Sequence, residues 1–362
     1  MNKEPFLQVS KRRNKAGWQE RLLIRFIALI LALIVCGAVI VALVKMNPVD
    51  VYKAIWDGAM GSERRLWQTI RDTMVLLCIS IGLAPAFKMK FWNIGAEGQF
   101  YMGAFGAASM AFMCPDLPPI LLLPLMCVAG FICGGLWALI PAVIKAKFGA
   151  SETLVTLMMN YIAIAFISYL QYGPWKDPAA LGAAKVPNFS ENAVLPDVFG
   201  IHAGWIIMLV LVIIMTILLR YTKLGYQIDV IGESETTAKY AGMNTVKILV
   251  IAVLISGGLC GMAGFMQSSA VEKSITDSMS AGLGFTAVIT AWLAKLKPPV
   301  IVVASFMFSI LLQSGSSLQV MKIPSSITEI MQGVIIFFVL ACEFFINYKI
   351  SFRKHTAVKE AE

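Results

Sequence analysis

The stretch "FWNIGAEGQF" (91–100) sets Asn93, Glu97 and Gln99 among apolar residues, with Gly95 and Gly98 between them. A charged side chain at the centre of a lipid-facing helix costs about 2.5–3.5 kcal/mol on insertion scales. Glu97 therefore has to avoid lipid. Four routes are open: the membrane interface, a pair with Lys88 or Lys90, backbone N–H groups at a helix start, or the wall of a wet cavity. The glycines let backbone come close and depart from helical geometry. At membrane depth that is tolerated only where protein or water satisfies the freed groups. Asn93 can cap the helix that follows. Such a corner can line a path for a polar solute, or it can simply fix a packed helix entry. Bond-making chemistry has no comparable foothold. There is no G-x-x-x-x-G-K-[ST], no H-E-x-x-H, no G-x-S-x-G and no carboxylate pair at catalytic spacing. No series of buried carboxylates suggests a proton relay. The seven cysteines include no C-x-x-C and mostly fall inside apolar runs, where they act as small hydrophobes. His202 and His355 are too far apart in sequence to suggest a metal site.

The elements that hold these residues must lie in lipid. The chain has 362 residues, 58% hydrophobic and only 14% charged, against about 25% charged in an ordinary soluble domain. A helix needs roughly 20 apolar residues to cross the hydrocarbon core. Runs of that kind occur at 22–44, 66–87, 94–113, 119–143, 153–171, 204–221, 246–266, 299–318 and 326–347, and a shorter one at 284–294. The fold class expected is an all-α polytopic membrane protein of about ten transmembrane helices. The first run is longer than a signal-peptide core and reads as a retained helix.

Charge sets the orientation. The basic tail 1–21 belongs inside, and ten crossings return the tail 349–362 inside as well. The tails and loops so placed hold most of the 30 Lys and Arg. Topology thus accounts for the net charge of +9 without nucleic acid. The membrane body, 22–348, has its longest outer loop at 173–203 and its longest inner loop at 222–245. Pro85 is expected to kink or end a helix, and Lys88 and Lys90 mark its inner side. Within the inner loop, Ser234 reads as the N-cap of a short helix with Thr237 at N3, stopped by Gly242. Gly103 with Ala107, Gly130 with Gly134, and Gly257 with Gly261 are spaced for close helix approach. Glu152 and Glu343 read as interfacial, and Asp72 as a local ion pair with Arg71.

Three stretches resemble one family. "FWNIGAEGQFYMGAFGA" is similar to the signature of permease subunits of ABC importers, in the branch serving simple sugars, nucleosides and branched-chain amino acids. "GYQIDVIGESETTAKYAGMN" resembles that branch's coupling loop. "GLGFTAVITAWLAKLKPPVIVVASFMFSILLQSG" matches the third region in layout. The first motif is most similar to nucleoside-type permeases. The resemblance implies a helix near 234–241 that docks on a separate ABC ATPase. Gly232, Ala238, Ala241 and Gly242 would permit close approach there, with Glu233 and Lys239 at the rim. It also implies a second permease subunit, distinct or identical, an extracytoplasmic substrate-binding lipoprotein, and a place in the bacterial cytoplasmic membrane. No cofactor is expected in this chain, with ATP and Mg on the partner ATPase. Asn93, Glu97 and Gln99 would support the translocation path or its gate. Nucleoside is the expected cargo, with ribose or another simple sugar as the alternative and an ion-coupled carrier as the runner-up class. Two departures stand out. Asp229 and Thr237 replace a basic residue and an Ala common in the coupling loop, and "AKLKPPV" replaces a Gly and an Asn-Pro turn.

Overall fold

The computed structural model describes residues 7–11, 17–180, 184–198, 200–320 and 322–352. His355 lies outside them. In chain order the elements are β1 (Leu7–Lys11), α1 (Trp18–Val44), α2 (Pro48–Met60), α3 (Glu63–Lys88), α4 (Ala96–Met113), α5 (Pro119–Phe148) and α6 (Glu152–Tyr172). Then come β2 (Asp197–Val198), β3 (Ile201–His202), α7 (Gly204–Tyr221), α8 (Lys223–Glu233), α9 (Glu235–Tyr240) and α10 (Thr245–Met266). α11 (Leu283–Leu293), α12 (Pro298–Val320), α13 (Ser325–Asn347) and β4 (Tyr348–Phe352) complete the order. Each of the ten apolar runs coincides with a helix. Among the described residues, seven helices are long and apolar enough to cross a membrane: α1, α3, α5, α6, α7, α10 with its π-helical extension to Glu272, and α12. α4 is not one of them. Its Glu97, Gln99 and three glycines dilute the apolar content, and most of its residues are buried against protein, where lipophilicity is not required.

The chain forms two units. The first, residues 1–56 and 314–362, is built on α1 and α13. Ala28 of α1 packs with Cys342 and Ile346 of α13, and the Cys36 thiol donates to the Met331 carbonyl at 3.8 Å. β1 pairs antiparallel with β4 in the register Gln8 to Ser351, so the start of α1 and the end of α13 lie together. The loop expected after the first crossing contains α2, begun by Pro48 at its first position. Proline is at home there because that N–H would be unpaired anyway. The Tyr52 hydroxyl of α2 donates to the Leu33 carbonyl. Glu343 falls in α13, with its side chain outside the described set.

The second unit, residues 57–313, is centred on α10, which packs on α3, α4 and α5. Glycines make that contact possible. A Cβ at Gly134 would come within 2.7 Å of the Gly261 Cα, and one at Gly103 or Gly261 would enter the backbone of the helix opposite. The expected close approach of small-residue pairs is present at this three-helix seam. Pro85 does not end α3, which runs three residues further. The 173–203 loop is anchored by Trp175, stacked on Phe105 at 5.5 Å and edge-on to Phe112. Arg71 reaches past its neighbour Asp72 to Asp197, at 3.8 Å. His202 is buried beside them. Burial, helped by the Arg71 charge and opposed by Asp197, pushes its imidazole down to about 4, so it is neutral at ordinary pH.

Candidate functional site

For the ten residues that follow α10 and its π-turn, the chain runs through the protein without a helix. In the stretch 273–282, Ser274, Ile275, Met279 and Ser280 are buried. Ala281 and Gly282 take left-handed φ values of 46° and 80°, after which α11 begins. α11 has 11 residues, which at 1.5 Å each span about 16 Å, half the hydrocarbon thickness. The run expected as a weak crossing at 284–294 is thus a helix about half as long as a crossing needs. The non-helical stretch before it is held by side chains from α4 and α6. Tyr101 donates its hydroxyl to the Asp277 carbonyl at 2.6 Å, Ser168 donates to the Asp277 carboxylate at 2.6 Å, and Gln171 accepts the Asp277 N–H at 2.9 Å.

Glu97 sits at the start of α11. It is buried, and its carboxylate accepts the Ser280 hydroxyl and, at 2.7 Å, the Gly284 N–H in the first turn of α11. Of the four routes open to it, backbone N–H groups at a helix start are the one taken, but the helix is α11 and not its own α4. A negative group there also suits the positive end of the α11 dipole. Gly284 is obligatory for the approach, since a Cβ would lie 2.5 Å from the Glu97 nitrogen and carboxylate.

Asn93 does not cap α4 as expected. Its Oδ1 accepts the Gly95 N–H at 3.1 Å, forming a turn that leads into the helix. The Asn93 and Gln99 amides then pair at two points, 3.0 and 2.8 Å, and Asn93 also donates to Ser256 of α10. The capping is done from α6. Asn160 accepts the Gly98 N–H at 2.8 Å and donates to the Ile94 carbonyl at 2.9 Å. Sequence reasoning missed Asn160, Ser256, Ser280 and Tyr101. Asn160, Ser256 and Tyr101 are polar residues in apolar runs, and that was their only signal; Ser280 lies between two runs and had none. The three singled-out residues do share one corner, with Asn93 and Gln99 bonded together and Glu97 on the neighbouring turn.

The corner is joined to the segment 222–245. That segment holds two helices, α8 and α9, where one was expected. Asp229 of α8 pairs with Lys88 at the end of α3 at 2.7 Å, which gives the departure at this position a local partner. Gly232 is buried, and a Cβ on it would overlap the Lys88 carbonyl. α9 is capped as read: Ser234 accepts the Thr237 N–H, and Gly242, with φ 75°, closes a Schellman motif through bonds from Gly242 to Lys239 and Met243 to Ala238. Ala238 is fully buried in this chain, so its small size serves internal packing and offers no docking surface. Glu233, Ala241 and Gly242 are exposed, as is Lys239, which is tied to Glu235 at 2.8 Å. Tyr240 is 89% exposed, an aromatic ring with almost no cover. Beside α9 a cavity of about 570 Å³, with mixed polar and apolar walls, reaches the α5–α6 turn, where Lys145 pairs with Glu152 at 2.7 Å. The "AKLKPPV" corner ends α11 in another Schellman motif, with Lys295 and Leu296 at φ 53° and 57°. Glycine and asparagine tolerate that region better than Lys and Leu.

The family model described as the branched-chain amino acid transport system / permease component matches residues 66–340. A glucose ABC transporter permease protein, TsgB13 of Haloferax volcanii, is 28% identical over 89% of this chain and 88% of its own. A nucleoside ABC transporter permease protein, NupB of Lactococcus lactis, is 27% identical over 94% and 96%. A guanosine ABC transporter permease protein, NupP of Bacillus subtilis, is 30% identical over 88% and 92%. With seven described helices long and apolar enough to cross a membrane and a match across three quarters of its length, this chain belongs to the family of branched-chain amino acid transport system permease components.

Proposed function

We propose that this chain is the membrane-spanning permease subunit of an ATP-driven importer and that its cargo is a nucleoside. The supporting observation is the similarity to nucleoside and guanosine permeases along about nine tenths of the chain. α9, with the bare Tyr240 ring and the exposed Glu233, Ala241 and Gly242, docks on a separate ABC ATPase, which binds ATP and Mg. α8 carries the movement to the end of α3 through Lys88, Asp229 and Gly232, and so to the corner of Asn93, Glu97 and Gln99. The device has two states, and ATP binding on the partner favours one of them. Ten crossings, with both tails on the cytoplasmic side, complete the topology. The pairing of β1 with β4 supports an even number. A second permease subunit completes the path, and an extracytoplasmic binding lipoprotein supplies selection. The membrane is the bacterial cytoplasmic membrane. A sugar is the second reading, favoured by the glucose permease relative.

The deciding experiment is uptake of labelled guanosine, cytidine, ribose and glucose in a strain deleted for this chain, then complemented. Loss and recovery of nucleoside uptake, abolished again when the partner ATPase lacks its phosphate-binding lysine, is expected. Intact nucleoside uptake with lost sugar uptake would reverse the cargo. Uptake that survives the disabled ATPase would make the chain an ion-driven carrier.

A further inference from the structure

A cavity of about 420 Å³ lies where α3 and α7 end and α12 begins, with α8 along one side. Its polar lining is Lys88, Arg220, Lys297, Asp229 and the uncharged Thr216. Asp229 is committed to Lys88. Among the described residues no carboxylate pairs with Arg220 or Lys297. Arg220 only leans over the ring of its neighbour Tyr221, at 5.5 Å. Both cations are exposed. The cavity therefore carries two uncompensated positive charges, one of them a planar guanidinium suited to two-point contact with phosphate.

The rest of the lining is apolar, including Leu219, Leu296 and Val300. From its mouth two apolar faces continue along the helices. On α7, Ile217 and Ile213 are 49% and 51% exposed, on the side that carries Thr216 and Arg220. On α12, Val303 and Met307 are 63% and 57% exposed, in line with Val300. A soluble anion would use the cations and leave these faces idle. A molecule with a phosphate at one end and two hydrocarbon chains uses everything present.

We propose that this cavity holds the phosphate head group of an anionic phospholipid, with its acyl chains lying along α7 and α12. The site rests on the chain's place in a membrane and not on the nature of its cargo. Basic pockets between membrane helices suit such head groups, and each cation near the surface shifts binding about fivefold. Two of them give a preference for phosphatidylglycerol over phosphatidylcholine of about 25-fold.

The test uses the full chain in its purified transporter complex. It is titrated with fluorescent phosphatidylglycerol, with phosphatidylcholine of the same chains, and with inorganic phosphate as competitor. The parent and the charge-matched variant K147Q/K247Q, whose cations lie outside the cavity, should show the preference. R220Q/K297Q should lose it. Equal binding of the two lipids, or a preference that persists in R220Q/K297Q, overturns the proposal. So does inorganic phosphate competing as well as the lipid, which would mark a soluble anion site. In the unsubstituted protein, a photoactivatable phosphatidylglycerol should label peptides containing Ile213–Arg220 and Lys297–Met307. Labelling confined to other peptides counts against the site even if the double variant does not assemble. Guanosine uptake is measured in parallel, so a wrong cargo is told apart from a wrong lipid site.

Discussion

Glu97 shows how a single carboxylate can hold two helices in place. Its acceptors serve a hydroxyl 183 residues away and an N–H 187 residues away, and both donors are buried. Removing a partner from such a group leaves a desolvated donor unpaired, at about 1–3 kcal/mol. Glu97→Ala should therefore lower the melting temperature of the purified chain and reduce uptake. Ser280→Ala, which removes one hydroxyl and keeps the Gly284 bond, should cost about 1 kcal/mol. An unchanged melting temperature in Glu97→Ala would contradict the bonding described. The residue types at this corner were legible in sequence, because an apolar chain cannot leave Glu, Asn and Gln without partners. Their partners were not. Nothing local to Glu97 points to Ser280, and nothing near Gly98 points to Asn160.

At the scale of elements, length and composition went far. All ten apolar runs are helices, and the run that looked too short is an 11-residue helix that follows a buried non-helical stretch. α9 was readable because Ser234 and Gly242 supply both its cap and its stop. α8 was not, since Gly225, Gly232 and the branched residues between them weaken its helical pattern, and tertiary packing against α3 decides the matter. The small-residue pairs were readable as contacts, but not as one seam shared by α4, α5 and α10. That seam has no spare volume. Gly261→Leu would drive a side chain into the Gly130 carbonyl, and overpacking of this kind costs about 1–3 kcal/mol or more. The variant should unfold at lower temperature and give little folded protein. Gly17→Ala, where a Cβ would meet nothing, should behave as the parent.

At the scale of the whole molecule, β1 near the start of the sequence pairs with β4 near its end. In a background without the native cysteines, Gln8→Cys with Ser351→Cys should form a disulfide under mild oxidation, since these residues face each other across the strand pair. Gln8→Cys with Phe345→Cys should not. A failure to cross-link would separate the tails and remove the support they give to an even number of crossings. The contact of Gly232 with the Lys88 carbonyl works differently. Where side chains meet, a push can be absorbed by a change of rotamer. Here one main chain rests on another, and there is no rotamer to yield. A strut of that kind has no slack, so α8 cannot advance along this line without driving the foot of α3 ahead of it.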